Sequence, residues 1–334
     1  MVDTRRHTTP PTRTRALVIG ESLIDIVHDD RAGDASGPLT TEYPGGSPMN
    51  ASIGLARQGI DVQFATEFGA DQRGDRLEER LVREGVDLLI APRAGSTATA
   101  SAHLRADGSA EYSFDLDWSL GCGDMPAHRP VDVLHFGSLA AAMHPCCGDL
   151  ENTVRAARTA ATISYDPNIR PAHDTDPVAA RVRVERQARL ADIVKASDED
   201  LAYLYGDEPH AAIAQRWLDA GVALVVITRA ADGALLMTAD TVVDLPAYAV
   251  EVHDTIGAGD AMTAGLLAGL GTLGLLGADR REELRSIDER TLRAVGDWAQ
   301  QTAALTIGRP GAEPPTSAET RDALLQTSSR SVAA

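Results

Sequence analysis

Residues 254–260 read Asp-Thr-Ile-Gly-Ala-Gly-Asp and run straight into 261–270, Ala-Met-Thr-Ala-Gly-Leu-Leu-Ala-Gly-Leu. The second stretch is apolar on every side, the pattern of a helix buried all round. Gly265 and Gly269 lie about one turn apart and would let it pack close to a sheet. Residues 250–252 have strand character, so the order is strand, glycine turn, helix. Gly257, Ala258 and Gly259 then aim backbone N–H groups outward at a helix N-terminus, where the macrodipole also favours negative charge. Such a nest holds a phosphate or a developing oxyanion. Asp260, in the first helical turn, is kept ionised by the same dipole. A carboxylate beside an anion hole makes chemical sense if it takes a proton from a group attacking the bound anion, as when a hydroxyl is phosphorylated. The plainer alternative is a glycine-rich turn with a capping aspartate.

Other phosphate-binding patterns fail. A dinucleotide fingerprint needs a third glycine where Met262 stands, which also disfavours a Rossmann oxidoreductase. A phosphate-loop NTPase needs Gly-Lys-Ser/Thr, yet the single lysine, Lys195, follows Val194. Neither Asp-Phe-Gly nor His-Arg-Asp occurs, which excludes a protein kinase. The formal net charge of −18 disfavours a nucleic-acid partner, because phosphate attraction needs a basic face. An anionic substrate must then meet a local positive group or a metal.

The chain has 334 residues, suited to one large α/β domain with an appendage. With 43% hydrophobic but only 4% aromatic residues, the core must be mostly Ala, Val, Leu and Ile. No apolar run reaches the ~18 residues of a membrane span. Cys122, Cys146 and Cys147 form no disulfide framework or metal-ligand spacing and are expected as reduced thiols of a cytoplasmic protein. Residues 1–15 are expected as a disordered tail, 16–316 as the folded domain and 317–334 as a weakly ordered end.

Strand-like segments 16–20, 61–68, 131–136, 163–165, 193–196 and 223–228 alternate with helical ones. Asp25 interrupts an alternating stretch after the first. Pro44-Gly45-Gly46-Ser47-Pro48-Met49-Asn50 precedes a small-residue helix. Residues 98–105 and 110–115 alternate around Ala106-Asp107-Gly108-Ser109, a hairpin signal that breaks the strand–helix rhythm and calls for a separate small sheet. The clusters at 166–170, 197–200, 228–233 and 254–260 each follow the end of a predicted strand, so a mostly parallel sheet brings them to one edge.

These motifs carry a resemblance that spans roughly residues 16–315. Residues 254–260 resemble the C-terminal signature of the ribokinase-like (PfkB) carbohydrate kinases, Asp-Thr-x-Gly-Ala-Gly-Asp. Residues 45–50 resemble the N-terminal one, Gly-Gly-x-x-x-Asn, and Asp166-Pro167-Asn168-Ile169-Arg170 matches the Asp-Pro-Asn-x-Arg of fructokinase-type members. The resemblance implies a mostly parallel α/β sheet flanked by helices, with a β-lid built from about 23–43 and 98–118. It implies that Asp25, Gly45, Gly46, Asn50 and Arg170 contact the sugar, with Arg105 at the lid. Arg105, Tyr112, Phe114 and Trp118 either line the lid or pack under it. Asp166, Ser197 and Asp200 fall on the Mg²⁺ side, although Asp200 stands where the family has Glu. Thr228, Arg229 and Gly233 fall in the nucleotide-phosphate loop, where Ala230 replaces a usual glycine. Arg229 is a candidate positive charge, or else pairs with a surface carboxylate. Backbone oxygens near Asp254 and Ile256 fall at a monovalent cation such as K⁺, and the helix and loop over 291–315 fall around adenine.

The implied activity is phosphorylation of a sugar hydroxyl by ATP with Mg²⁺, fructose being the expected substrate. Asp260 would be the base, and 257–259 would stabilise the moving phosphoryl group. Within kinases the alternative is 2-keto-3-deoxygluconate, with Arg170 and Arg105 on its carboxylate; few aromatics disfavour a nucleoside. From another class, a non-catalytic sugar sensor on the same fold remains. A homodimer through the lid is the expected assembly.

Overall fold

Runs of Val, Ile, Leu and Ala without a polar side must be covered on both faces, as in a parallel sheet between helix layers. The computed structural model of the chain builds that arrangement and describes residues 13–34, 37–89, 95–105, 110–116, 119 and 129–333. Its strands are β1 (Arg15–Ile19), β2 (Leu23–Asp34), β3 (Gly37–Gly45), β4 (Asp61–Ala65), β5 (Asp87–Leu88), β6 (Thr99–Leu104), β7 (Ala110–Asp115), β8 (Val133–Gly137), β9 (Thr162–Asp166), β10 (Ile193–Ser197), β11 (Leu224–Thr228), β12 (Ala234–Met237) and β13 (Val242–Leu245). Its helices are α1 (Ser47–Arg57), α2 (Gln72–Arg83), α3 (Ser138–Ala142), α4 (Cys147–Ala157), α5 (Pro177–Ala188), α6 (Asp198–Tyr205), α7 (His210–Asp219), α8 (Ala258–Thr272), α9 (Arg281–Arg285), α10 (Glu289–Ile307) and α11 (Ser317–Ala333).

Nine strands form one sheet in the order β13-β12-β11-β10-β9-β8-β1-β4-β5. Neighbours from β11 to β5 are parallel, and β12 and β13 close one edge as an antiparallel hairpin. Successive side chains on a strand face opposite ways. Ala16 and Val18 therefore join one core, with Met49 and Ile53 of α1, Leu266 of α8 and Val295 of α10. Leu17 and Ile19 join the other, with Val154 of α4, Val184 of α5 and Trp217 of α7. The strand order reverses at β1, between β4 and β8. Ligand crevices of open α/β sheets lie at such a point, outside the carboxyl ends of the strands.

The remaining strands form a separate four-stranded sheet, β3-β2-β6-β7. Its two hairpins are antiparallel and join through a parallel β2–β6 pairing. The turn expected at 106–109, Trp118 and residues 1–12 of the expected tail lie outside the described residues.

Several expectations change. Residues 250–252 form no strand. The ladder of β13 ends before Pro246, which has no N–H to donate, and the amides of His253 and Asp254 both donate to the Ile307 carbonyl. The cluster at 254–260 thus reaches the sheet edge by docking on α10. Gly265 meets α10 and not the sheet: a side chain there would collide with Ala299 and Thr302. Residues 317–333, expected as weakly ordered, form α11. Thr316 and Glu319 build a reciprocal cap at its start, the Glu319 carboxylate accepting from Thr316 N–H and Thr316 Oγ1 from Glu319 N–H. Thr320 is fully buried, accepting from Gln58 Nε2 at 3.1 Å. Cys147 is free, but Cys146 is disulfide-bonded, against the expectation of three reduced thiols. Among the described residues no helix is long and apolar enough to cross a membrane.

Candidate active site

Asp260 enters the site from the first turn of α8 and is 8% exposed. Its carboxylate does not cap its own helix. Ser47 Oγ donates to Oδ1 at 2.6 Å and Asn50 Nδ2 donates to Oδ2 at 3.0 Å, both from α1. Burial pushes its proton affinity up, while the Ser47 and Asn50 donors and the Lys195 charge oppose that rise. The turn before it works because Gly257 has φ 76°, a left-handed conformation natural to glycine. Ala258 N–H folds back onto the Thr255 carbonyl at 3.3 Å. Helix geometry leaves the N–H groups of Gly259 and Asp260 without an intrahelical partner. A proton acceptor thus stands one residue from free backbone donors.

Toward the four-stranded sheet, Asp25 of β2 lies against Gly45 at the end of β3. A side chain at position 45 would come within 1.9 Å of Asp25 Oδ2, so the carboxylate uses the space that glycine leaves. Burial pushes Asp25 up to about 6, opposed by Arg170 and reinforced by Asp260 and Glu21. Gly46, with φ 105°, is the N-cap of α1, and its carbonyl accepts from Asn50 N–H. Glu21, buried after β1, accepts from Ala140 N–H at 3.0 Å and also feels the Arg170 charge. Arg170 itself is exposed and acts on the buried Glu21 and the half-buried Asp25 through its charge alone. Arg105 is exposed just past β6.

On the other side, Lys195 of β10 donates to Asp166 Oδ2 at 2.9 Å. Asp166 Oδ1 is buried without a hydrogen-bond partner. The same ammonium lies 2.8 Å from where a Cβ on Gly259 would sit. Asp200 is committed to backbone, accepting from Ile169 N–H at 2.7 Å and Ser197 N–H at 2.9 Å, while Ser197 Oγ accepts from Asp200 N–H. It thereby ties the ends of β9 and β10 together. Thr228 Oγ1 lies 3.5 Å from the Ala196 carbonyl. Arg229 does not face the crevice as a free cation; it pairs with Asp244 of β13 at 2.5 Å. Ala230 has φ 44°, so the residue that replaces the usual glycine keeps a glycine-like backbone, and Gly233 follows with φ 84°. Asp254 clasps two loops, accepting from Ile256 N–H at 3.0 Å and Gly311 N–H at 3.0 Å.

The fold thus gathers Gly257, Gly259, Asp260 and Asn50 at one point, with Asp25, Gly45 and Arg170 to one side and Asp166 to the other. It leaves Arg105 exposed beside the four-stranded sheet and Arg229 on the edge of the large one. Three site residues escaped the sequence reading: Ser47, Lys195 and Glu21. Ser47 occupies a free position of the Gly-Gly-x-x-x-Asn pattern. Lys195 carried a signal, as the one lysine in an acidic chain, and Glu21 as a carboxylate at the end of an apolar strand.

Comparison with known proteins bears on this geometry. The profile of the pfkB family carbohydrate kinases matches residues 13–319. The chain is 36% identical to a fructokinase of Rhizobium leguminosarum bv. trifolii over 294 residues, 86% of this chain and 88% of that protein. It is 30% identical to a fructokinase of Escherichia coli over 309 residues, 89% and 94% of the two. Among solved structures, a fructokinase double mutant from Vibrio cholerae O395, in a form with fructose, ADP and potassium ion bound, superposes with a TM-score of 0.75 at 26% identity. That match covers 94% of this chain and 99% of the other.

Proposed function

The chain belongs to the pfkB family of carbohydrate kinases, and on that premise we propose that it transfers the terminal phosphoryl group of ATP to a hydroxyl of fructose or a closely related hexose. One observation carries the reading: Asp260, at the N-terminus of α8, is held by Ser47 and Asn50 of the helix that opens the sugar side. The sugar hydroxyl is bound where Asp260 accepts its proton as the oxygen attacks. The free N–H groups at the start of α8 stabilise the charge on the moving phosphoryl group. Asp25 and Asn50 orient the sugar through its hydroxyls. The Asp25 carboxylate against Gly45 favours a neutral sugar over the carboxylate of 2-keto-3-deoxygluconate, because like charges repel. The Vibrio cholerae relative was solved with fructose and ADP, which supports the same substrates here.

Asp166 Oδ1, buried and unpartnered, is the kind of hard oxygen donor that suits Mg²⁺. Bound there with the nucleotide, directly or through water, Mg²⁺ would neutralise phosphate charge. Asp200 and Ser197 act by fixing the backbone around that point. The Asp254 clasp would present the loop carbonyls to a monovalent cation. We assign the four-stranded sheet as the lid, and the homodimer contact to its face that exposes Leu39 and Tyr43.

The test is ADP release with a sugar panel that includes fructose, glucose, ribose and 2-keto-3-deoxygluconate, with the product identified by phosphorus NMR. Fructose is expected to give the highest kcat/KM. ADP release that no sugar stimulates overturns the kinase assignment, and would favour a sugar sensor if the sugars still bind.

A further inference from the structure

The only lysine in the chain is 5% exposed. An ammonium is strongly hydrated, and burying it is unfavourable unless other charges repay the lost water. On β10, Ile193 packs into the core that contains α1 and α8. Alternation along the strand sends Lys195 to the same face, where it reaches Gly259 in the first turn of α8. Among the described residues its hydrogen bond is to Asp166, leaving two of its three donors. Asp166 Oδ1 beside it also lacks a partner. Burial works against the charged ammonium, but Asp166, Asp200 and Asp260 together outweigh it and hold its proton affinity above the ordinary lysine value. Among the described residues near the crevice, Arg229 is paired with Asp244 and Arg170 is exposed, whereas burial fixes Lys195 in place.

We propose that Lys195 is the fixed cation of the transfer site, contacting the terminal phosphoryl group of the nucleotide over the first turn of α8. The proposal rests on the kinase reading above and adds a catalytic residue to it. A compact point charge suits phosphoryl oxygens that move between donor and acceptor. Held by Asp166, it needs no rearrangement as charge develops. Gly259 is required for this contact, because any side chain there would displace the ammonium.

The experiment measures the binding of AMP, ADP and ATP, together with kcat on the best sugar, for wild type, Lys195→Met, Asp166→Asn and the double variant. With Lys195→Met, AMP affinity is expected to stay within about twofold, ATP affinity to fall about tenfold or more, and kcat to fall at least ~10²-fold. If Lys195→Met does not fold because Asp166 is left unpaired, the double variant, which buries neither charge, is compared with Asp166→Asn, in which Asp200 and Asp260 still balance the ammonium. Equal losses for AMP and ATP, or an unchanged kcat, overturn the proposal. A wild type that phosphorylates no sugar defeats the kinase reading instead, while selectivity for ATP over AMP still reports on Lys195.

Discussion

Asp25→Asn separates function from stability. In the folded chain the Asp25 carboxyl is pushed from 3.8 up to about 6, mainly by burial. It binds its proton more tightly folded than unfolded, so ionising it at neutral pH disfavours the fold. At 1.36 kcal/mol per pKa unit, that rise corresponds to roughly 3 kcal/mol. The penalty is fully present above about 6 and vanishes below 3.8, so wild-type stability rises as pH falls through that window. Asn keeps the shape and carries no charge. At pH 7.5 the variant is expected to be more stable by up to about 3 kcal/mol, a rise in Tm of about 5 °C for a chain of this size. The gap should close between pH 6 and 4. Sugar binding should weaken by about 10- to 100-fold, because hydrogen bonds to a charged acceptor contribute about 1.5–3 kcal/mol. Scanning calorimetry from pH 4 to 8, with and without fructose, measures both effects. A variant less stable than wild type at pH 7.5, or a difference flat across pH, refutes the reasoning about a buried, functionally retained charge.

Asp260→Asn is expected to lower kcat by ~10²–10⁴ with Tm held or raised, since burial penalises the native charge; wild-type turnover in this variant would remove the base. In wild type the base works ionised and its proton affinity is raised, so kcat should fall with decreasing pH at a value above the ordinary aspartate range; an acid limb at or below 4 counts against the assignment. Ala230→Gly relieves a left-handed alanine that costs about 1–2 kcal/mol while adding about 0.4–1 kcal/mol of unfolded-state entropy. Thermal melting should therefore show a small stabilisation, of about 1 kcal/mol or less, and a clear loss of stability contradicts it. Chelation of divalent metal should abolish ADP release and K⁺ should raise it; full activity in excess chelator, or equal rates in K⁺ and a bulky organic cation, would each defeat one half.

Features set within a few residues were legible before any fold was known. Two-residue alternation along 16–19 assigns Ala16 and Val18 to one face of a strand and Leu17 and Ile19 to the other, and the all-apolar run 261–270 can only be a buried helix. Gly-Ala-Gly-Asp places a turn, a helix N-terminus and a carboxylate in one short span, since turn conformation and dipole are set within a few residues. The Thr316–Glu319 cap was equally local, legible and unread. Tertiary structure decided what depends on partners far along the chain. Ser47 meets Asp260 across 213 residues, and nothing in the Gly-Gly-x-x-x-Asn pattern distinguishes that serine from a spacer. Pairing with Asp244 takes Arg229 out of the crevice because the β12–β13 hairpin folds back beside β11. Gly265 faces α10 and not the sheet because α8 is apolar all round, and such a helix carries no moment to say which neighbour lies on which side. Lys195 becomes a site residue only because parallel pairing sets β9 beside β10 and packs α8 across their ends. A lone charge in sequence has no partner until the crossovers choose one, and burial then decides how strongly that partner counts.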